Sequence, residues 1–391
     1  MDFRGRTPGK LGMEWGKGDI PALSAGNVKK GFIDFSAECY FGSEELYRRW
    51  MTRGDVSKGD VVFTTEAPLG NVALIPDNKR YILSQRTILI RTRPERALSA
   101  YLFQTLLSDG FQKVLADNAS GSTAKGIQRK RFEQLTIALP PAEEQRAIAT
   151  ALSDVDALID GLAQLIAKKR DLKQAAMQQL LTGQTRLPGF NGEWSKKLIG
   201  EISEVKTGPF GSSLHESDYV KVGTPIITVE HLGEFGVEHV NLPLVSEADR
   251  QRLIAYSLSE GDIVFSRVGS VDRNALIRRT ETGWLFSGRL LRVRPDKATV
   301  HAPFLSHQFH GEAFKASVRS VAVGQTMASL NTQILNDLFV MLPSMAEQIA
   351  IAAVLSDMDA ELAALDARLV KTRALKQAMM QELLTGKTRL I

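Results

Sequence analysis

The feature that most constrains this chain is an internal repeat. Residues 139–187, LPPAEEQRAIATALSDVDALIDGLAQLIAKKRDLKQAAMQQLLTGQTRL, align without a gap to residues 342–390, LPSMAEQIAIAAVLSDMDAELAALDARLVKTRALKQAMMQELLTGKTRL. The offset is 342 − 139 = 203, with 28 identities in 49 positions. Within each copy apolar residues step by 4, 3, 4, 3, 4, the seam of a coiled coil. They are Ile148, Leu152, Val155, Ile159, Leu162 and Ile166 in the first copy, and Ile351, Leu355, Met358, Leu362, Leu365 and Leu369 in the second. Pro140-Pro141 before Glu143-Glu144 marks one helix start, and Ser344-x-x-Glu347 reads as a capping box at the other. Gly183 and Gly386 stand where a left-handed residue would stop each helix. Each helix should run about 40 residues, or roughly 60 Å. So long an amphipathic helix is unstable with its stripe in water, and its natural partner is the other copy. The 154 residues between the copies (188–341) can fold and return the chain, which favours antiparallel pairing and an internal pseudo-twofold.

The remainder reads as two globular segments. GDVVFTT, NVALI and YILSQRTILIRT in one, with GDIVFSR, ALIRR and LLRVRP in the other, are short β-type runs punctuated by Gly, Pro and Asn. Helical stretches follow at about 97–116 and 302–319. GDVVF (59–63) echoes GDIVF (261–265), RTRP (91–94) echoes RVRP (292–295), and Gly121-x-Thr123 echoes Gly324-x-Thr326. The expected fold is α+β: two small α/β domains, 1–138 and 188–341, and two long helices, 139–187 and 342–391, packed as an antiparallel coiled coil.

Composition narrows the class further. No apolar run reaches the ~18–20 residues of a membrane span, and MDFRGRTPGKLG lacks the apolar core of a secretory signal. Cys39 is the only cysteine, so no intrachain disulfide forms and a reducing cytoplasm is expected. A net charge of +5 favours an anionic partner without identifying it.

Catalytic motifs fail on inspection. TGKT (385–388) resembles the end of a phosphate-binding loop, but that loop needs a glycine where Gln381 stands and must follow a strand. The first copy has Gln184 in place of the lysine. No G-x-G-x-x-G serves a dinucleotide or methyl-donor cofactor. LPP at 139–141 superficially resembles an amino-methyltransferase signature, yet Ala138 precedes it and no aromatic follows, so helix initiation explains the prolines. His307 and His310 in HAPFLSHQFH are spaced i, i+3, but no Cys or carboxylate lies at ligand spacing, and a polar helix face is expected. PDNK (76–79) and PDK (295–297) read as turns rather than nuclease motifs. The chain reads as non-catalytic, with no metal or cofactor site.

What remains is basic loop chemistry. GSTAKGIQRKR (121–131) carries Lys125, Gln128, Arg129, Lys130 and Arg131, and FSRVGSVDRNALIRR (265–279) carries Arg267, Arg273, Asn274, Arg278 and Arg279. Arg, Asn and Gln on loops can read base edges in pairs of hydrogen bonds, and Lys and Arg neutralise phosphates. The candidate DNA contacts are Lys29, Lys30, Arg86, Lys125, Gln128, Arg129 and Lys130 in the first half. In the second they are His231, Arg267, Arg273, Asn274, Arg289, Gln325 and Thr326.

The P-x-x-x-E-Q-x-x-I start and the K-Q-x-x-M-Q-x-L-L-T-G end, each present twice, resemble the two helical regions of specificity subunits of type I restriction-modification systems. The resemblance covers the whole chain. It implies two target-recognition domains, each reading one half of an asymmetric bipartite site in double-stranded DNA. It also implies helices that set the gap and dock two modification subunits. By the same resemblance those subunits carry S-adenosylmethionine, and restriction subunits using ATP and Mg²⁺ join them; this chain binds no cofactor itself. FNGEWSKKLIGEISEVKTG (190–208) looks like the family's usual domain opening, with Trp194, Leu198 and Gly200. The first half lacks it, because Met1 aligns near Val205, so that domain is expected to have a shortened start or a strand supplied otherwise. The rival readings are an adaptor whose coiled coil joins two protein-binding heads, and a cofactor-dependent methyltransferase.

Overall fold

The computed structural model describes the chain except residues 3–6, 85, 122–123, 210–213, 323–327 and 391. It divides into two compact units, residues 1–163 with 368–391, and residues 164–367. Each long helix therefore contributes residues to both units.

In the first unit β1 (Ile20–Leu23) pairs antiparallel with β2 (Tyr40–Gly42) and parallel with β5 (Ile82–Leu83). α1 (Glu44–Trp50), capped by Ser43, covers this sheet, and Leu23, Leu46, Trp50 and Tyr81 close its core. A second sheet, all antiparallel, has β3 (Val61–Thr65) between β4 (Leu69–Leu74) and β6 (Thr87–Ile90). α2 (Ser99–Leu107) and α3 (Asp109–Asp117) pack on it through Phe103, Phe111 and Leu115. The expected single helix over 97–116 breaks at Ser108, which adopts extended backbone and caps α3 by accepting from the Phe111 amide. A short α4 (Arg129–Phe132) precedes α5 (Ala142–Leu180), the first long helix.

The second unit repeats this plan with additions. β7 (Ser195–Leu198), α6 (Ile199–Ile202) and β8 (Ser203–Thr207) lead into β9 (Tyr219–Val220), β10 (Thr224–Ile227) and the β11 (Leu232–Gly233)–β12 (Gly236–Val237) hairpin. β13 (Leu244–Val245), α7 (Glu247–Arg252), β14 (Ile263–Ser266), β15 (Asn274–Leu276), β16 (Leu285–Phe286) and β17 (Leu290–Pro295) follow. The sheets have the orders β16-β10-β13-β9 and β15-β14-β17-β8. α8 (Ala302–His310) and α9 (Glu312–Val321) break at Gly311 as α2 and α3 do at Ser108. α10 (Thr332–Asn336) and β18 (Phe339–Leu342), which pairs antiparallel with β7, lead into the second long helix, α11 (Met345–Leu383). In the first unit residues 136–139, the repeat equivalent of β18, form no strand, and an isolated bridge joins Asp2 to Ile88.

The helix seam forms as expected. All twelve seam residues are buried or half-buried. In the first unit Lys376 Nζ meets Asp156 at 2.6 Å, and Arg389 clasps Glu144 with two bonds of 2.5 Å. In the second unit Lys173 meets Asp359, and Arg186 clasps Glu347 at 2.5 and 2.6 Å. In both units a rising number on one helix meets a falling number on the other, so the helices run antiparallel. The two sets of pairs are the same pairs, shifted by the repeat. Gly183 and Gly386 end the helices at φ 72° and 74°. Gly386 is thus a helix stop, and the lysine after it belongs to a tail whose arginine clasps a buried glutamate.

The fainter echoes also have structural reasons. Asp60 accepts from the Ser57 amide and binds Arg91 Nε at 2.8 Å; Asp262 accepts from Ser259 and binds Arg294 Nε at 2.7 Å. This corrects the alignment of RTRP with RVRP. Arg91, the first arginine of one, does the work of Arg294, the second arginine of the other. The β3–β6 and β14–β17 registers, Val61 opposite Ile90 and Ile263 opposite Val293, put them there. Gly121-x-Thr123 and Gly324-x-Thr326 fall largely outside the described residues. Among the described residues no helix is long and apolar enough to cross a membrane.

Candidate nucleic-acid interface

In the first unit three of the basic stretches are tethered to one place, the β3–β4 connection. Thr65, the last residue of β3, donates its amide to the Arg86 carbonyl at 2.8 Å, and its carbonyl accepts from Ile127 at 2.9 Å. Arg86 adopts φ 68° in the turn between β5 and β6, which leaves its side chain exposed 3.9 Å from Glu66. Ile127 is buried and anchors a stretch on which Lys125, Gln128, Arg129 and Lys130 are all exposed. Arg129 pairs with Glu133, the residue that caps the end of its helix, at 2.7 Å. Lys29 and Lys30 sit on a tight hairpin turn, closed by the Lys29 amide on Phe32 O and by Gly31 at φ 98°. Asn71 Nδ2 holds Val28 O at 2.8 Å and the Gly31 amide reaches Val72 O, so this hairpin lies against β4. Asn27 is buried beneath it; its Oδ1 accepts from Ser24, and its Nδ2 donates to the carbonyls of Asp34 and Glu38. The hairpin is thereby fixed before any ligand arrives.

The second unit builds the same constellation with different side chains. The Arg267 amide donates to Arg289 O at 2.9 Å, and Leu330 N donates to Arg267 O at 2.8 Å. Arg267 and Arg289 therefore stand where Thr65 and Arg86 stand in the first unit. Arg289 is exposed, whereas Arg267 turns its guanidinium back toward the carbonyls of Leu330 and Gly288. Arg273 is exposed and reaches Leu232 O.

Two sequence expectations are corrected here. His231 is buried, and its ring caps a turn by bonding Thr228 at 2.9–3.1 Å, the task Asn27 performs toward Ser24 in the first unit. Asn274 is 2% exposed because it lies on β15 opposite Phe265, not in the loop before it. Neither offers its side chain to a groove of DNA. Gln325 and Thr326 lie outside the described residues. The loops 121–131 and 265–279 are not equivalents of each other: the Ile127 amide bonds Thr65 O as the Leu330 amide bonds Arg267 O, and Arg267 itself lies in the second loop.

The histidines of α8 also depart from expectation. His307 is buried rather than on a solvated face, with Nε2 3.1 Å from Ser356 Oγ and Nδ1 3.9 Å from Asp359. Burial, reinforced by the Lys173 and His310 charges, pushes its pKa down to about 3. His310 is lowered for the same first reason.

Gln145 and Gln348, the glutamines of the twice-present E-Q pair, organise the helix starts. The Gln145 carboxamide receives the Leu98 amide and donates to Arg96 and Pro140 carbonyls; Gln348 does the same for His301, Thr299 and Pro343. The E-Q pair of each repeat thus ties the helix to its globular domain through Gln and to the tail arginine through Glu. Its identity in both copies was the available signal.

Beside the helix pair each unit has a groove, about 930 Å³ in the second unit and about 450 Å³ in the first. Repeat-equivalent residues line them, among them Lys173 and Lys376, Met177 and Met380, and Phe314 and Phe111.

Comparison with known proteins is decisive. The sequence matches the type I restriction modification DNA specificity domain twice, over residues 3–168 and 191–370. The chain belongs to that family. The specificity subunit of Methanocaldococcus jannaschii type I enzyme MjaVIII is 22% identical over 85% of this chain and 80% of its own length. The EcoKI specificity subunit of Escherichia coli is 22% identical over 71% and 62%. A solved S subunit from M. genitalium is 17% identical with a TM-score of 0.61, covering 94% of this chain and 89% of that one. A chain from a study of type I system assembly is 19% identical with a TM-score of 0.56, covering 98% and 95%. These two share the fold. As a specificity subunit the chain is the non-catalytic, DNA-recognising component of its system.

Proposed function

We propose that this specificity subunit reads an asymmetric, bipartite site in double-stranded DNA, one half with each recognition domain. Arg86, Lys125, Gln128, Arg129, Lys130, Lys29 and Lys30 contact the first half, and Arg267, Arg273 and Arg289 the second. The paired helices hold the two half-sites at a fixed gap. The repeat-equivalent grooves dock two modification subunits, which supply S-adenosylmethionine, and restriction subunits bring ATP and Mg²⁺ to the same assembly. The observation that carries this reading is a contrast within the chain. The grooves and helix clasps use matching residues in both units, as one partner bound twice requires. The loops around Thr65 and Arg267 share backbone geometry and differ in side chains, as two unlike half-sites require.

Exchange of residues 190–341 for the corresponding domain of another family member tests it. Sequencing of DNA methylated by the reassembled complex should show one altered half-site, an unchanged gap and an unchanged second half-site. A change in both halves, or sequence-independent methylation, would overturn independent reading.

A further inference from the structure

Phe32 is the most exposed aromatic among the described residues, at 58%, although the backbone that carries it is firmly held. Residues 27–34 form a two-stranded ribbon. The Asp34 amide donates to Asn27 O at 2.8 Å, Val28 bridges Ile33, and the Lys29 amide donates to Phe32 O at 2.9 Å, which leaves Lys30 and Gly31 as a two-residue turn. Alternation along such a ribbon sends successive side chains to opposite faces. Val28 is buried and Ile33 packs against the same core, so Lys29 and Phe32, directly opposite each other, share the outer face. The ribbon is pinned to β4, the strand that leaves the connection tethering Arg86 and residues 125–130. Gly31 N on Val72 O and Asn71 Nδ2 on Val28 O, each at 2.8 Å, do this. A single exposed aromatic is ordinary on a protein surface. A ring held in water on a pinned ribbon beside two lysines is not explained by folding.

The surroundings indicate what the ring would meet. Asp34, the nearest acid along the chain, already accepts from the Ser36 amide and hydroxyl and from the Ala37 amide. The second unit's equivalent ribbon, with Leu232 opposite Val237, engages its tip internally: Glu234 pairs with Arg170 at 3.2 Å, and Arg278 donates to Phe235 O at 2.5 Å. The major groove of B-DNA, about 12 Å wide, admits a two-stranded ribbon, whereas the minor groove is only about 6 Å wide. A phenyl ring has no hydrogen-bonding group, so the base feature it complements in the major groove is the C5 methyl of thymine. Lys29 and Lys30 stand beside it to meet the flanking phosphates. We infer that Phe32 packs on a thymine methyl in the first half-site and is an apolar, specificity-determining contact of the first recognition domain. The inference rests on the reading that this domain reads one half-site of double-stranded DNA.

The test is a binding cycle on the complete complex of this chain with its modification subunits, using duplexes that carry the site identified by sequencing of methylated DNA. Each thymine of the first half-site, on either strand, is replaced in turn by deoxyuridine, which removes only the methyl, and binding is followed by fluorescence anisotropy. At one position wild type should lose about fourfold in affinity, the effect of one buried methyl group. F32A should bind the natural duplex about fourfold more weakly or worse, with an unchanged salt slope because no charge is removed, and should lose nothing further on that deoxyuridine. F32L, which keeps apolar bulk, should fall between. Because Phe32 is exposed, both variants should melt with wild type. Any of three results would overturn the contact while leaving two-site reading intact: no thymine whose methyl matters to wild type, a deoxyuridine loss that persists in F32A, or weakened assembly with the modification subunits in place of weakened DNA binding. A wild-type complex with no preference for its methylated sequence over unrelated DNA would overturn the two-site reading, and the contact with it.

Discussion

Replacement of His307 by glutamine should change how the stability of the second unit depends on pH. His307 is buried beside Lys173, Asp359, His310 and Ser356, and its folded pKa is held near 3, against an ordinary 6.5. The folded state therefore keeps the ring neutral throughout the range in which the unfolded chain takes up a proton. Stability from this group is complete above about pH 6.5 and is lost as pH falls from there toward 3, because only the unfolded state gains by protonation. Between pH 7 and pH 5 the loss is about 2 kcal/mol, and it changes little if the folded value is one unit higher. Glutamine is the appropriate replacement, since Gln104 holds the equivalent place in the first unit and donates to Asp156 at 2.9 Å. Urea unfolding of wild type and H307Q at half-unit steps from pH 7.5 to 5 gives the difference directly, and His301 and His310, lowered by burial in both proteins, largely cancel. The wild type should lose about 2 kcal/mol more than H307Q over pH 7 to 5. Parallel curves would refute a neutral buried His307.

Three further outcomes follow from the same geometry. E347Q should lower the unfolding midpoint more than E144Q, because both glutamates are buried but Arg186 is far less exposed than Arg389; R186M should remove most of the difference in a double-mutant cycle. K125A and K130A should each weaken binding to all DNA sequences alike and reduce the salt slope by about 0.9, measured by fluorescence anisotropy; an unchanged slope would remove them from the phosphate contacts. Insertion of four residues, just over one turn, after both Leu162 and Leu365 adds about 6 Å of helix and should lengthen the methylated gap by about one or two base pairs; retention of the old gap would mean the helices do not set it.

The long helices were legible in the sequence because their information is local and periodic. The seam from Ile148 to Ile166, its copy from Ile351 to Leu369, and the stops at Gly183 and Gly386 each depend on neighbours within one or two turns. The strands were found for the same reason, though the run 81–92 splits at the turn carrying Arg86. What the sequence could not decide was which chemistry faces outward. His231, Asn274 and His307 are polar residues that looked available and are buried, because a polar side chain with a satisfied or tolerated place inside a sheet or helix layer carries no local mark of it. Arg91 and Arg294 became equivalents only once β3–β6 and β14–β17 registers placed each against its aspartate, two residues from where the motifs align. By itself the sequence determined periodicity, repeat and family. Tertiary structure decided partners, because hydrogen bonds and burial join residues tens to hundreds of positions apart, and only the folded chain specifies which of them meet.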